Sequence, residues 1–372
     1  MRRKDYLFII ILVLLGYLAV ELPVSFLAWK KHWGTTLWIF EDSGKTVHFD
    51  PIRGYKLTTV PSRFARITGG KIEYVGSVRG NAQGFADRHD FTVKRQNKKK
   101  RIAVFGDSFS VAQFLETNWP DRAEELDKAF TFLNFSIDGG GIANWWSIID
   151  KFVEKEGYEL DGVVFAVVPG DLYRTFSIAE HRGYQNHMFG RLLSWEDEYP
   201  ATANEAKSVL RQSPGLIVST EEFNQCLSGE WPASLKWQFR FYLFKVAASF
   251  LRGVSNSALE SQFDPPVTHK AREQLVDNVR NFLRKNRSPT YVFYIPDRDT
   301  LLGEWEVGEW FKQDARIFAK KIGAVFVDGS KIYAGLSKKD IRGMFFPHDG
   351  HWNQRGSDAF ARFMLSSIKT RR

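Results

Sequence analysis

The chain has 372 residues, of which 44% are hydrophobic and 15% aromatic, so it can bury a sizeable core and is not a disordered chain. Its single cysteine, Cys226, excludes an internal disulfide and a cysteine-based metal site. The net charge of +9 comes largely from Arg2–Lys4, Lys94–Arg101 and Arg371–Arg372. No nucleic-acid-binding motif accompanies these runs, so we expect no nucleic-acid partner. The middle run is typical of a solvated loop, with anionic lipid or an acidic glycan as alternative contacts.

The N-terminal segment is the first predicted element. Tyr6–Leu22 is almost entirely apolar, and extension to Ala28 gives about 23 residues, near the ~20 that a helix needs to cross hydrocarbon. The flanking sequence MRRK predicts a cytoplasmic N-terminus. No small-residue cleavage site follows, which favours a retained anchor over residues 1–31 rather than a cleaved signal peptide or a core helix. We therefore predict a single-pass inner-membrane protein whose residues 32–372 lie in the periplasm.

Residues 32–100 are mixed in character and rich in turn residues. Short strands are predicted around Thr35–Phe40 and Lys71–Val75, with Gly69–Gly70 as a turn. We interpret this region as a stem or cover segment between the anchor and the next domain.

Residues 101–372 alternate between apolar strand patterns and amphipathic helix patterns. The predicted strands are Ile102–Phe105, Phe132–Phe135, Val163–Val168, Tyr291–Ile295 and Ala324–Val327. The predicted helices are Trp119–Phe130, Asn144–Glu156, His269–Lys285, Trp305–Lys320 and Gln354–Ile368. This alternation predicts an α/β domain, a flavodoxin-like three-layer α/β/α fold with a five-stranded parallel sheet.

An insertion at about 172–265 interrupts the alternation and contains no strand pattern of comparable strength. Within it, Ser234–Leu251 has apolar residues at helical spacing, accompanied by basic side chains. This segment is predicted to be a helix packed on the core. The alternative is a lid or a membrane-facing helix.

The most informative motif is RIAVFGDSFS at Arg101–Ser110. Its apolar run stops at Gly106, and a tight turn there would present the Ser108 hydroxyl at the carboxyl edge of the sheet. Near the other end of the chain, Asp349 and His351 stand two residues apart. Serine, histidine and a carboxylate are the components of a nucleophilic triad. The alternative is that Ser108 and Asp349 cap helices and His351 lies in a surface loop.

Three blocks resemble the SGNH/GDSL hydrolases: GDSFS, NFSIDGG at Asn134–Gly140, and DGHWNQRG at Asp349–Gly356. The resemblance implies that Ser108 is the nucleophile and that Asp349 and His351 are the acid and base. It also implies that Gly139 supplies an oxyanion-hole N–H beside that of Ser108, and that the activity is acyl ester hydrolysis without a cofactor or metal. The segments DPIRGY and NAQGFADR resemble the lead-in of membrane-anchored bacterial members.

Two departures from the family pattern qualify this resemblance. The family's third-block asparagine, an oxyanion donor, is replaced by Gly170, so we expect weak hydrolysis of simple esters. Gly170→Asn is expected to raise the rate if the position does not need positive φ, and Asn144 is the first candidate for a substitute donor.

The usual D-x-x-H spacing is replaced by D-x-H, because position 348 is His348. This variant resembles proteins that acetylate alginate and other exported polysaccharides.

Asp171 and Arg174 follow the third predicted strand, where substrate contacts would lie. Their alternative role is a local ion pair or a helix start. The substrate is expected to be an acylated glycan or a lipid-linked ester. Two other functions remain open: a polysaccharide O-acetyltransferase component with a membrane-bound acyltransferase partner, and a non-catalytic glycan-binding or assembly protein.

Overall fold

The computed structural model describes residues 3–31, 36–42, 47–174, 176–179, 216–230, 266–304 and 308–370. The predicted helix at Ser234–Leu251 and the first residues of the one predicted to begin at Trp305 lie outside these ranges.

The chain begins with a long apolar helix, α1 (Arg3–Lys31), which contains Pro23. Its central segment Ile9–Leu27 has 19 residues, a mean hydropathy of 2.3 and only 6% of its residues buried. The helix is thus long and apolar enough to cross a membrane, a property that it shares with signal sequences.

Five strands precede the α/β domain. They are β1 (Thr36–Glu41), β2 (Val47–Asp50), β3 (Gly54–Leu57), β4 (Ser62–Thr68) and β5 (Lys71–Val78). The two strands predicted from the sequence pattern are therefore present, as β1 and β5. The strands β1, β4 and β5 form an antiparallel sheet in which β4 is central, and β2 pairs with β3 as a separate hairpin. We call the first of these the accessory sheet.

The first half of the α/β domain comprises three strands and three helices. They are β6 (Lys100–Phe105), α2 (Ser108–Val111), α3 (Trp119–Leu126), β7 (Phe130–Asn134), α4 (Ile142–Ile148, continued by a π-helical turn to Glu154) and β8 (Gly162–Val167). Every residue of β8 is buried, as expected for a strand covered on both faces.

The insertion contributes β9 (Leu216–Val218) and α5 (Thr220–Leu227). The strand β9 pairs in parallel with β1 and extends the accessory sheet to four strands, an element that the sequence pattern does not predict.

The second half of the domain returns to the main sheet. Its elements are α6 (Pro266–Asn286), β10 (Thr290–Tyr294), α7 (Arg298–Leu302), α8 (Gly308–Ile322), β11 (Val325–Asp328), α9 (Lys338–Arg342) and α10 (Gln354–Thr370). The main sheet is parallel, with the order β11-β10-β8-β6-β7. This flavodoxin-like arrangement confirms the predicted fold class.

The two faces of the main sheet pack against different layers. Alternate residues of β6 illustrate this: Ala103 and Phe105 join the core that includes α6 and α8, whereas Ile102 and Val104 join the core that includes α3 and α10. The first of these cores also takes in aromatic residues of the accessory sheet, among them Tyr74. The two sheets therefore share one continuous hydrophobic core.

The chain order places a crevice at the carboxyl edge of the main sheet. The strand β7 lies on one side of β6 and β8 lies on the other. Connections that leave neighbouring strands in opposite directions open a space between them, and open α/β sheets bind ligands at such a point.

Candidate active site

Ser108 occupies a tight turn directly after β6. A side chain at Gly106 would put a Cβ atom 2.4 Å from the Ser110 Oγ, so only glycine fits there. The Asp107 carboxylate caps α2 by accepting a hydrogen bond from the N–H of Phe109 at 3.0 Å. Because Asp107 is the cap, the Ser108 hydroxyl is left available at the sheet edge.

The structure brings Ser108, His351 and Asp349 together in one hydrogen-bonded chain. The Ser108 Oγ lies 2.7 Å from His351 Nε2, and His351 Nδ1 lies 2.6 Å from Asp349 Oδ1. This pattern corresponds to the neutral tautomer with its proton on Nδ1, in which Nε2 accepts a proton from serine. The helix-cap alternative does not fit, because Asn353 caps α10 through hydrogen bonds from the N–H groups of Arg355 and Gly356.

The charges of the dyad are set by this hydrogen-bonded chain. Burial alone would raise the pKa of Asp349, but the hydrogen bond and charge of His351, with Tyr74 and Arg66, hold it below its usual range. Burial would lower the pKa of His351, and Asp349, Asp107 and Asp138 outweigh that effect and raise it. Asp349 therefore stays ionised and stabilises the protonated imidazole.

The dyad and the serine open onto a cavity of about 570 Å³. Its walls come from the loops after β6, β7, β8 and β10 and from the final loop before α10. The lining residues beyond Ser108, Asp349 and His351 are Asp107, Phe109, Asp138, Gly139, Val168, Pro169, Arg174, Ser177, Asp297 and Gly350. The cavity therefore lies at the predicted crevice.

Gly139 lies on the cavity wall, as the resemblance implies for an oxyanion donor. Its φ of 67° favours glycine, and its carbonyl accepts a hydrogen bond from Ser177 Oγ at 2.6 Å. Within the described residues, the backbone N–H groups of Ser108 and Gly139 donate to no acceptor. Both are thus available to an oxyanion.

The structure removes the condition on which a gain from Gly170→Asn was expected, and it contradicts the suggestion that Asn144 is a substitute donor. Gly170 has φ of 90°, so the condition for a gain from Gly170→Asn is not met, and an asparagine there would be strained. The Asn144 side chain is buried and occupied. Its Nδ2 donates to the carbonyls of Arg53 and Ser177, and its Oδ1 accepts from the Ser177 N–H. Asn144 therefore fixes the chain around Ser177 and offers no donor to the cavity.

Arg174 lines the cavity, but Asp171 does not, which corrects the prediction that both contact substrate. Asp171 is completely buried, accepts a hydrogen bond from the Val168 N–H, and pairs with the Arg174 Nη1 at 2.8 Å. The same Nη1 lies 3.0 Å from Asp107 Oδ2. Asp171 is thus a local ion-pair partner that orients Arg174. Burial and the Asp107 charge raise the pKa of Asp171.

Sequence reasoning missed three further residues at the site, Arg66, Glu73 and Tyr74 of the accessory sheet. Tyr74 Oη donates to Asp349 Oδ2 at 2.6 Å, and Arg66 Nη1 donates to the same oxygen at 2.7 Å. The Glu73 carboxylate accepts hydrogen bonds from the N–H groups of His348 and Asp349. Tyr74 and Asp349 are 275 residues apart in the chain, so local spacing contains no signal for this contact.

No protein-family model and no curated protein sequence matches the chain. Three solved structures illustrate what the fold is similar to. The psychrotrophic esterase EstA from Pseudoalteromonas sp. is 12% identical, with a TM-score of 0.36, over 73% of this chain and 98% of that one. A lipase/acylhydrolase from Enterococcus faecalis is 10% identical, with a TM-score of 0.37, over 73% and 96%. A catalytic mutant of the acetylxylan esterase Axe2 from Geobacillus stearothermophilus is 8% identical, with a TM-score of 0.36, over 72% and 94%. Likenesses this weak assign no activity to the chain.

Proposed function

We propose that this chain is a serine-dependent acyl ester hydrolase of the SGNH type that works through a covalent acyl-enzyme. The observation that supports this most directly is the continuous hydrogen-bonded chain from Ser108 Oγ through His351 to Asp349, at 2.7 and 2.6 Å, at the wall of a cavity of about 570 Å³. A neutral imidazole held by a buried carboxylate is the general base that a serine nucleophile requires.

The reaction follows from these positions. His351 Nε2 takes the proton of Ser108 as Oγ attacks the ester carbonyl, and the backbone N–H groups of Ser108 and Gly139 stabilise the oxyanion. The imidazolium then gives its proton to the departing alkoxide, which leaves as the alcohol. Water, deprotonated by His351, attacks the acyl-enzyme and releases the acid. Ser108 regains its proton in this last step.

The full chain in detergent micelles should hydrolyse an activated acetyl ester with a rate that rises with pH. His351 acts only when neutral, and its pKa lies above the ordinary value of 6.5, so kcat/KM should be low in acid and reach a plateau above that pKa. The measurement is kcat/KM across pH. A His351→Gln variant gives the background rate that does not depend on His351. A purified protein that neither turns over the ester nor forms a covalent adduct would contradict the proposal.

We propose an acylated glycan as the substrate, because the half-buried carboxylates of Asp138 and Asp297 lie on the cavity wall and can accept hydrogen bonds from sugar hydroxyls. Transfer of the acyl group to a sugar hydroxyl is the second candidate, since the same acyl-enzyme serves both reactions. Product analysis with and without an oligosaccharide acceptor separates the two. The intact triad geometry disfavours a purely non-catalytic glycan-binding role.

We also propose that α1 is a retained inner-membrane anchor and that the α/β domain works in the periplasm. The length and apolarity of Ile9–Leu27 and the preceding basic residues support this. Deletion of residues 1–31 should release the protein from membranes, and a periplasm-dependent reporter fused after Arg372 should be active. A C-terminal reporter that is active only in the cytoplasm would contradict this topology.

A further inference from the structure

The loop that carries Asp349 and His351 is held by the accessory sheet. Asp349 Oδ2 accepts two hydrogen bonds from that sheet, one from Tyr74 Oη at 2.6 Å and one from Arg66 Nη1 at 2.7 Å. Its other oxygen, Oδ1, accepts from His351 Nδ1 and from the His351 N–H. Both oxygens of the carboxylate are thus engaged, and one of them is engaged entirely by residues outside the α/β domain.

The backbone of the same loop is also fixed from the accessory sheet. Glu73 Oε1 accepts hydrogen bonds from the N–H groups of His348 and Asp349, at 2.6 and 3.1 Å. Arg66 Nη2 donates to the carbonyl of His348 at 2.9 Å, and Arg66 Nε forms an ion pair with Glu73 Oε2 at 3.2 Å. The side chains of Glu73 and Asp349 are only 3% and 6% exposed, so both carboxylates are shielded from water.

A β-bulge allows consecutive residues to reach the same loop. Arg66 of β4 is paired directly with Tyr74 of β5, but the next pair is Ile67 with Ile72, so Glu73 has no partner across the ladder. In a regular strand, neighbouring side chains point to opposite faces, whereas a bulge re-aims one of them. Glu73 and Tyr74 therefore both contact the loop. A feature of this kind beside a catalytic carboxylate is typical of a functional arrangement.

We infer that Arg66, Glu73 and Tyr74 are positioning residues for the reaction, and that they hold Asp349 and the loop around it in the geometry that His351 requires. This inference rests on the proposed function. The accessory sheet, which directly follows the N-terminal helix, is then part of the catalytic unit rather than a passive stem.

The protonation of His351 depends on these contacts and can be measured without a substrate. The charged groups that act on this imidazole are Asp349, Asp107 and Asp138, with Arg174 paired to Asp107 and Arg66 paired to Asp349, and Asp297 lies on the wall of the same cavity. Removal of the Arg66 charge leaves the negative charges of Asp349 and Glu73 without their nearby cation. The uncompensated negative charge stabilises the protonated imidazole of His351. Arg66→Gln should therefore raise the pKa of His351 by about one pH unit, and Tyr74→Phe should raise it by less.

The experiment is an NMR titration of the full chain in detergent micelles with isotope-labelled histidine. The His351 signal is assigned by its loss in His351→Gln. The matched control is Arg63→Gln, which removes another paired arginine of β4 whose partner is Glu41 at 2.7 Å and which does not contact the final loop. Arg63→Gln should leave the titration of His351 unchanged. An Arg66→Gln protein in which His351 titrates as in the wild type overturns the inference, whereas a titration shifted to lower pH would show that Asp349 has left the ring and would support the positioning role.

Tyr74→Phe keeps the inference testable if Arg66→Gln fails to fold. The phenyl ring retains the contacts with Phe346 and Phe114, whose ring centroids lie 4.4 and 5.6 Å away, and only the hydroxyl is lost. Turnover should fall about tenfold in kcat with little change in KM, because one hydrogen bond to an ionised group is lost. An unchanged kcat beside an unchanged His351 titration contradicts the role of Tyr74.

If the wild type itself lacks esterase activity, the proposed function fails, yet the titration still tests the contacts to the loop.

Discussion

Ser108→Ala is expected to remove both ester turnover and covalent labelling by a fluorophosphonate, while the fold remains intact. Ser108 Oγ is the only atom that this substitution deletes, and within the described structure it bonds to His351 Nε2 at 2.7 Å and to Asp107 Oδ2 at 3.4 Å. Loss of a triad nucleophile lowers kcat by factors up to about 10⁶. The measurements are kcat/KM on an acetyl ester and mass spectrometry of the labelled peptide.

Ser110→Ala is the matched control for this experiment. Ser110 belongs to the same motif, but it is fully buried and its Oγ accepts a hydrogen bond from Trp119 Nε1 at 3.1 Å. Its loss should cost about 1 kcal/mol of stability and leave the labelling of Ser108 in place. A folded Ser108→Ala protein with undiminished turnover would show that the hydrogen-bonded chain is not the catalytic machinery.

The fold and the three residues of the hydrogen-bonded chain could be predicted because their signals are local. The apolar run from Ile102 to Phe105 is buried on both faces and stops at a glycine, so it identifies both the strand and the turn that presents Ser108. Asp349 and His351 lie two residues apart before a strongly amphipathic helix. Parallel strands then bring these separate turns to one edge of the sheet.

The contacts that complete the site depend on long-range geometry. The bulge at Glu73 arises from the register between β4 and β5, and residue types alone do not specify that register. The orientation of the Asp171 carboxylate depends on the turn after β8, which directs it toward the Val168 N–H and away from the cavity. The positive φ of Gly170 is likewise a property of that turn. Sequence reasoning placed Asp171 and Gly170 near the site but could not orient them, and it did not place Glu73 there.

His351→Ala should lower turnover by about 10³-fold or more, as the loss of a triad base does, whereas His348→Ala should change it by less than about twofold. The two histidines are separated by only two residues, so the comparison tests the register of the final loop. The His351 ring joins Ser108 to Asp349. His348 is exposed, and its contacts with Glu73 and Arg66 are made through its backbone N–H and carbonyl.

An alanine at position 348 preserves those backbone contacts, so the loop keeps its position. The measurement is kcat/KM for both variants on the same ester, with thermal melting as the check on folding. Loss of His351 also deletes the ring that packs against Phe109 and Phe114, each with its centroid 4.8 Å away, so a small decrease in stability is expected for His351→Ala alone. If His348→Ala proved the more damaging of the two, Asp349 would serve a different histidine. The mechanism would then need His348, rather than His351, as the histidine that pairs with Asp349.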